Sequence, residues 1–198
     1  MSETVVDAGK RRFLTLATSV VGGIGAAFWA IPYIASWRPS AKAKAAGAPV
    51  EADISALKDG EMMTVAWRGK PVWIVKRSKE MLDNLAQVPP EELRDPNSEE
   101  KQQPDYITGP TRSQRPEVLV MVGSCTHLGC SPLFRPETPA PDIDKNWKGG
   151  FFCPCHGSRF DLAGRVYKNV PAPTNLKVPP YRFEGETVVV IGEDPVKA

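Results

Sequence analysis

Histidine and cysteine are both scarce in this chain, which contains two histidines and four cysteines among its 198 residues. The sequence has no Ser/His/Asp triad, no phosphate-binding glycine loop and no pair of catalytic carboxylates, which excludes the common self-contained hydrolytic and nucleotide-binding sites. The formal net charge is only +2 and the basic residues beyond the N-terminus are scattered, so nothing supports nucleic-acid binding. No internal repeat is found.

The few histidines and cysteines are concentrated in two short segments, CTHLGC at 125–130 and CPCH at 153–156. Each segment holds one cysteine and one histidine at the spacing of metal ligands, Cys-x-His in the first and Cys-x-x-His in the second. Cys130 and Cys155 are then left over. A pair of thiolates on one iron and a pair of imidazoles on the other is the ligand set of a Rieske [2Fe–2S] centre. The pattern therefore predicts such a centre.

Two other arrangements fit part of this pattern. A structural zinc ion is also bound by two cysteines and two histidines in a tetrahedron. Zinc leaves the two extra cysteines unexplained, and the single residue between Cys125 and His127 is tighter than the usual zinc spacing. A protein with all four cysteines in disulfides leaves both histidines without a role. We favour the iron–sulfur interpretation over both.

The two segments resemble the cluster-binding motifs of the Rieske iron–sulfur family. The match extends to neighbouring positions, namely Thr126, Leu128, Gly129, Pro154, Gly157 and Ser158. By this resemblance, Cys125 and Cys153 bind one iron, and His127 and His156 bind the other. The resemblance also implies that the two histidines take part in the reaction, because their outer ring nitrogens face solvent at the tip and exchange a proton. His156 is the preferred contact for the quinol, and His127 is the less favoured candidate.

The resemblance assigns further roles around the cluster. Cys130 and Cys155 would form a disulfide that joins the two cluster loops, and Ser158 would donate a hydrogen bond to a cluster sulfur unless it only shapes the turn. Phe160 stands where high-potential members of the family carry a tyrosine, so we expect a reduction potential below theirs. Apolar surface for docking, or for shielding the cluster from water, is expected from Leu128, Gly129, Pro154, Pro171 and Pro173.

A long uncharged run near the N-terminus predicts a membrane span. Residues 1–12 are polar and end in three basic residues, whereas the 25 residues of 13–37 carry no charge. This run is long enough to cross a bilayer, which needs about 20 apolar residues, and aromatic residues cluster toward its far end as at a membrane interface. The alternative is a cleaved signal peptide, whose apolar region would span only about 7–15 residues. We favour a retained anchor.

The basic residues before this run, Lys10-Arg11-Arg12, resemble a twin-arginine export signal, which exports a domain already folded around its cluster. Basic residues flank the apolar run on both sides, so charge alone gives no orientation. The expected disulfide does, because disulfides persist outside the cytosol. We therefore expect a single-pass protein of the bacterial inner membrane, with a cytoplasmic N-terminus and a periplasmic Rieske domain.

The rest of the chain is predicted to be mostly β. Residues 38–49 are small and flexible and predict a linker, which the resemblance makes a hinge for a Rieske domain of residues 50–198. Ser78 is expected to cap a helix from Lys79 to about Gln87. Apolar patterns predict short strands at 50–54, 62–67, 71–76, 118–122, 149–152, 159–161, 165–167, 181–183 and 187–191.

Two proline-containing stretches are expected to lie outside the core. Residues 88–116 are predicted to form a polar excursion, and residues 131–152 to hold a loop that runs over the surface before the strand at 149–152. The predicted architecture is thus an N-terminal transmembrane helix followed by an antiparallel β-sandwich. The cluster lies between two loops at one tip, within a subdomain of about residues 118–173.

Three classes of Rieske protein compete for the function. The anchor and the extra cysteines disfavour a soluble Rieske ferredoxin or oxygenase component. The excursion with LRDP at 93–96 is similar to the electron-transfer subunits of the quinol–cytochrome c reductase, the cytochrome bc complex of respiratory chains. The small subunit of an exported oxidase such as arsenite oxidase is the alternative. The favoured resemblance implies a dimeric oxidoreductase and translocase in which cytochrome b, a c-type cytochrome, ubiquinol and the membrane are the partners.

Overall fold

The computed structural model describes residues 7–195, which lie in two compact units, Met1–Ala45 and Ala46–Ala198. In the first unit, helix α1 spans Ala8–Ser36 and continues through Pro32. Asp7 caps it, because the carboxylate accepts hydrogen bonds from the N–H groups of Gly9 at 2.9 Å and Lys10 at 3.1 Å. No residue of α1 is buried by protein, and its length and composition allow it to cross a membrane.

A second helix, α2 (Ala41–Ala46), lies inside the stretch predicted as a flexible linker. Its sequence, AKAKAA, contains only residues of high helix propensity, which explains why it forms a turn of helix rather than extended chain. A helix this short is marginal by itself in water. The role of residues 38–49 as a hinge therefore stays a prediction.

The second unit contains nine strands and a helix within its described residues. The strands are β1 (Val50–Asp53), β2 (Met62–Trp67), β3 (Lys70–Lys76), β4 (Val118–Val122), β5 (Leu133–Arg135), β6 (Gly150–Cys153), β7 (Ser158–Asp161), β8 (Tyr181–Glu184) and β9 (Val188–Ile191). They form three antiparallel sheets in the orders β1-β9-β8, β2-β3-β4 and β5-β6-β7. Helix α3 spans Lys79–Ala86, and the Ser78 hydroxyl accepts from the Met81 N–H at 3.2 Å, as expected of a cap.

The sheet β2-β3-β4 is the middle layer of this unit. Along β3, Val72 and Ile74 pack into one apolar cluster with strands β1, β8 and β9, whereas Trp73 and Val75 pack into a second cluster with α3, β6 and β7. Alternate residues of β4 divide between the two clusters in the same way. Because both faces are covered, β4 is a continuous apolar run with all five residues buried. The fold is therefore mostly antiparallel β, as predicted.

The prediction that residues 88–116 lie outside the core was wrong. Leu93 and Ile107 are buried in the two apolar clusters, and the Arg112 side chain is fully buried. The segment has no periodicity because single apolar side chains, separated by turns, enter the core one at a time. Sequence patterns detect regular elements, and this stretch contains only one short 3₁₀ turn, Pro90–Glu92, among its turns and bends.

Two other expectations also need correction. The loop at 131–152 contains β5 and contributes Ala140 and Trp147 to the core, and the Trp147 indole N–H donates to the Arg135 carbonyl at 2.9 Å. The predicted strand at 165–167 forms two isolated bridges in place of a regular ladder, Phe160 with Val166 and Leu93 with Tyr167. The bridge to Val166 lies on one side of β7, and β6 forms a ladder with β7 on the other side.

Candidate metal centre

The first motif forms a loop that folds back on itself directly after β4. At the end of the strand, Gly123 lies against the indole ring of Trp73, and a Cβ atom at this position would collide with that ring. Beyond it, the Cys125 N–H donates to the Cys130 carbonyl at 2.7 Å, and the Gly129 N–H donates to the Cys125 carbonyl at 2.9 Å. Gly129 has a φ of +84°, which favours glycine. These contacts hold both ends of the motif together.

The second motif forms the turn between β6 and β7. Cys153 and Ser158 are paired across the hairpin, so residues 154–157 form its tip. The Gly157 N–H donates to the Cys153 carbonyl at 2.9 Å, and Gly157 has a φ of +73°. Pro154 and His156 consequently project from the tip, where both are exposed.

The two loops bring the predicted ligands together as two pairs, the thiols of Cys125 and Cys153 and the imidazoles of His127 and His156. Cys125 and Cys153 are buried and not in disulfides, and the imidazole rings of His127 and His156 have centroids 4.8 Å apart. His156 is exposed and His127 is half-buried. The structure therefore places two thiols on the inner side and two imidazoles toward the surface.

Cys130 and Cys155 form a disulfide that links the two loops. Their sulfur atoms and that of Cys153 all lie within 4.8 Å of one another. Since the disulfide uses two of these three sulfurs, only Cys153 among them offers a thiolate to a metal. In the chain-entropy model, a disulfide closing a separation of 25 residues contributes about 3 kcal/mol.

Burial sets the electrostatics of the inner thiols. It is the largest effect on Cys125 and raises the pKa of its thiol, whereas hydrogen bonds from the His127 N–H and the Ser158 hydroxyl favour the thiolate. Thiolates are the form that binds metal, and a cation beside them offsets the cost of burying their charge. Two buried thiols, two neighbouring imidazoles and donors already directed at one sulfur fit a [2Fe–2S] cluster with mixed ligands.

A third segment closes over the two loops. The Thr126 hydroxyl donates to the Thr174 carbonyl at 2.7 Å, which ties the first motif to this segment. The Ser158 hydroxyl is fully buried and accepts a hydrogen bond from the Ala172 N–H at 3.1 Å. Its own proton is then available for a sulfur atom. Ser158 therefore links the second motif to the segment at 171–174.

The outer surface of the loops is apolar. Leu128 has 72% of its surface exposed, and its neighbours on the three segments are also exposed, namely Gly129, Pro154, Pro171 and Pro173. Phe160 differs from this group because it is fully buried and lies opposite Phe151 in the β6–β7 ladder. It belongs to the core beneath the cysteines and not to a docking surface.

A buried carboxylate shapes the turn that follows β7. Asp161 is fully buried and accepts hydrogen bonds from the N–H groups of Ala163 at 2.9 Å and Arg165 at 2.8 Å. It also pairs with the Arg165 side chain at 2.6 Å. Residues 165–167 nevertheless pair with β7, because the Tyr167 N–H donates to the Arg159 carbonyl at 3.1 Å and the Asp161 N–H donates to the Arg165 carbonyl at 3.0 Å. A separation of four residues indicates an ion pair on a helix, whereas this pair lies in a turn, so no sequence pattern indicated it.

Two buried arginines hold the same turn from another direction. Arg112 donates to the carbonyls of Ala163 at 3.0 Å and Leu176 at 2.8 Å, and Arg77 donates to that of Leu162 at 3.0 Å. Burial lowers the pKa of both guanidinium groups to about 10, so they remain charged at neutral pH. The burial of Arg77 and Arg112 could not be predicted, because no spacing rule connects residues so far apart in the chain.

Comparison with known proteins agrees with this geometry. The Rieske [2Fe-2S] domain family matches residues 48–180, and the family described as Ubiquitinol-cytochrome C reductase Fe-S subunit TAT signal matches residues 1–40. The ubiquinol-cytochrome c reductase iron-sulfur subunit of Allochromatium vinosum is 59% identical over 194 residues, covering 98% of this chain and 93% of that protein.

Proteins of the same description from Rhodospirillum rubrum and Blastochloris viridis are 43% and 42% identical. The alignments cover 94% and 96% of this chain, and 93% and 97% of those proteins. One assignment agrees with the family matches, with the similarity along nearly the whole chain and with the paired loops. The chain belongs to the Rieske iron–sulfur family, among the iron–sulfur subunits of the bacterial ubiquinol–cytochrome c reductase.

Proposed function

We propose that Cys125 and Cys153 bind one iron of the [2Fe–2S] cluster and that His127 and His156 bind the other. The observation that carries this assignment is that the same two loops hold two buried thiols outside any disulfide and two adjacent imidazole rings. When bound, the cluster supplies a one-electron acceptor, and Rieske potentials lie between about −150 and +300 mV, against about −400 mV for plant-type ferredoxins.

The residues around the site have separate tasks in this proposal. Burial of Cys125 and Cys153 excludes water from the thiolates, and Ser158 stabilises the charge of the Cys125 thiolate by hydrogen bonding. His156 is the exposed imidazole, so its ring nitrogen that does not bind iron accepts the proton of the quinol hydroxyl. His127 is the second candidate for this contact. The exposed apolar side chain of Leu128 beside the imidazoles suits a pocket that holds an apolar quinol.

The relatives named as subunits of ubiquinol-cytochrome c reductase support a place in the same kind of complex, which we propose to be dimeric. We propose that the quinol pocket is completed by cytochrome b and that a c-type cytochrome takes the electron. Movement of the Rieske domain on the hinge at residues 38–49 would carry the electron from the quinol pocket to the c-type cytochrome. Turnover then belongs to the complex, since this chain holds no second site for the quinol reaction among its described residues.

Three features support the proposed membrane attachment and orientation. α1 is long and apolar enough to cross a bilayer, and residues 1–40 match a family with an export signal. The disulfide between Cys130 and Cys155 requires an oxidising compartment, which supports a periplasmic location for the domain. We propose that α1 is retained as the anchor of the bacterial inner membrane.

A substitution tests the ligand assignment. Cys153→Ser in the full-length chain should abolish bound iron and acid-labile sulfide, because one thiolate of the site is lost. Ser124→Ala, next to Cys125 and half-buried, is the matched control and should retain both. Chemical analysis of iron and sulfide per chain gives the result. Full cluster content in Cys153→Ser would contradict the assignment, and zinc in the wild-type chain in place of iron and sulfide would contradict the cofactor.

A further inference from the structure

A groove of about 450 Å³ opens beside the first cluster loop. Cys125 and Thr126 form one part of its wall, and Trp67 and Pro180 contribute apolar surface. Arg68, Lys70 and Lys177 also line it, and all three are exposed. No acidic residue is among the described residues that line this groove. We call these three cations and the surface between them the basic groove.

The fold holds the backbone of these cations in fixed places. Arg68 and Lys70 belong to the tight turn between β2 and β3, in which Arg68 and Gly69 both have positive φ. The guanidinium of Arg68 lies 4.5 Å from the centroid of the Trp67 ring, so this side chain is held against the groove. The Lys177 carbonyl accepts from the N–H of Val122 at 2.8 Å, which fixes Lys177 to the end of β4.

The charge of the basic groove is not compensated within residues 7–195. Arg68, Lys70 and Lys177 form no ion pair there, whereas Arg135, Arg159 and Arg182 each pair with carboxylates. Clustered charges of one sign raise the local potential and attract a partner of the opposite sign. Three unpaired cations around apolar surface therefore fit a surface that carries carboxylates around an apolar contact.

We propose that the basic groove docks an acidic surface of the protein that accepts the electron of this domain. This inference rests on the proposed function, which supplies a protein acceptor. Quinol is neutral, so three cations give no advantage in the encounter with the donor. A partner in the basic groove lies beside residues 125–126, which places it against a loop of the cluster. Position and charge thus favour the electron acceptor over an anionic lipid surface.

The test uses the intact complex in nanodiscs of zwitterionic lipid. The charge-reversal variant is Arg68→Glu, Lys70→Glu and Lys177→Glu. The matched control reverses three exposed lysines on other elements, Lys58, Lys79 and Lys145, and so has a similar net charge. Stopped-flow measurement follows electron transfer from the reduced cluster to the cytochrome haem over a range of ionic strength.

We expect the groove variant to transfer the electron about tenfold more slowly than the control at low ionic strength, since each exposed pair contributes modestly. At about 1 M salt, where the screening length falls to about 3 Å, the difference should shrink to less than about twofold. The rate of cluster reduction by quinol and the electron paramagnetic resonance spectrum should equal those of the control.

Equal transfer rates in the two variants at low salt would overturn the proposal. A slower rate that persists at high salt would also overturn it, because a distorted loop and not charge would then be responsible. An effect that occurs only in nanodiscs of anionic lipid would assign the basic groove to lipid headgroups instead. Failure of quinol to reduce the cluster in the wild-type complex would refute the proposed function, and this outcome is visible before any variant is compared.

Discussion

Replacement of Arg112 by methionine is predicted to destabilise the domain although the residue touches no predicted ligand. Arg112 is fully buried, and its side chain donates to the carbonyls of Ala163 and Leu176 and to the Gln103 side chain. A further acceptor, the Gly164 carbonyl, also receives the Leu176 N–H at 2.8 Å and stays bonded in the variant. The substitution therefore leaves only three acceptors without a hydrogen bond, namely the carbonyls of Ala163 and Leu176 and the Gln103 side chain.

The magnitude follows from two opposing effects. Hydrogen bonds from a charged donor contribute about 1.5–3 kcal/mol each, so the loss of three removes about 6 kcal/mol. Burial lowers the pKa of Arg112 to about 10, so its charge is held at a cost of about 3 kcal/mol, which methionine avoids. The expected loss in the free energy of unfolding is about 3 kcal/mol. For a domain of this size, that lowers the melting temperature by about 6–12 °C.

Arg115→Met is the matched control for this experiment. Arg115 also donates to two carbonyls, those of Gly185 at 2.9 Å and Glu186 at 3.0 Å, but these bonds are exposed. Water replaces the lost donor there, so the cost should stay below about 1 kcal/mol. Thermal unfolding of the full-length protein in detergent, followed by circular dichroism, measures both variants. Equal shifts in melting temperature would refute the argument from buried carbonyls.

Three further predictions concern the potential, the alkaline limit and the linker. Phe160→Tyr should raise the midpoint potential in a redox titration by about 50 mV through a new hydrogen bond to sulfur, and an unchanged midpoint would exclude that donor. Burial raises the pKa of Tyr181 to about 12. The neutral side chain therefore contributes about 3 kcal/mol to the free energy of unfolding below pH 10, and this contribution is lost as the pH rises to 12. The stability of Tyr181→Phe, measured by urea unfolding, should therefore fall less steeply over that window, and parallel curves would contradict this. Proline at Gly47 and Ala48 should slow turnover of the complex several-fold without changing the cluster spectrum, and unaltered turnover would count against domain movement.

The regular strands were predictable because their side chains follow simple periods. The strands at 62–67 and 118–122 were predicted with the bounds that the structure has. A tight turn at Arg68-Gly69 and a serine cap at Ser78 are local signals that depend on few neighbours. The two cluster motifs are also local signals in the sequence. In the structure their two thiols are buried and their two imidazole rings are adjacent.

The parts that were not predictable depend on contacts between distant residues. Arg112 and Ala163 are 51 residues apart, and Arg77 and Leu162 are 85 apart, so no local pattern indicates that these charges are buried. Leu93 enters the core from a segment without regular structure. The buried Asp161 carboxylate accepts from the N–H groups of Ala163 and Arg165, and the β propensity of the surrounding residues gives no sign of these contacts.

The assignment of the two motifs to a quinol-linked Rieske cluster is tested most directly by low-temperature electron paramagnetic resonance. Membranes that contain the protein are reduced with dithionite and measured with and without an inhibitor of the quinol site. We expect a rhombic signal that shifts when the inhibitor binds, because His156 contacts the occupant of that site. A signal that the inhibitor does not change would indicate the subunit of an exported oxidase. The absence of any such signal from iron-loaded protein would contradict the assignment of a Rieske cluster.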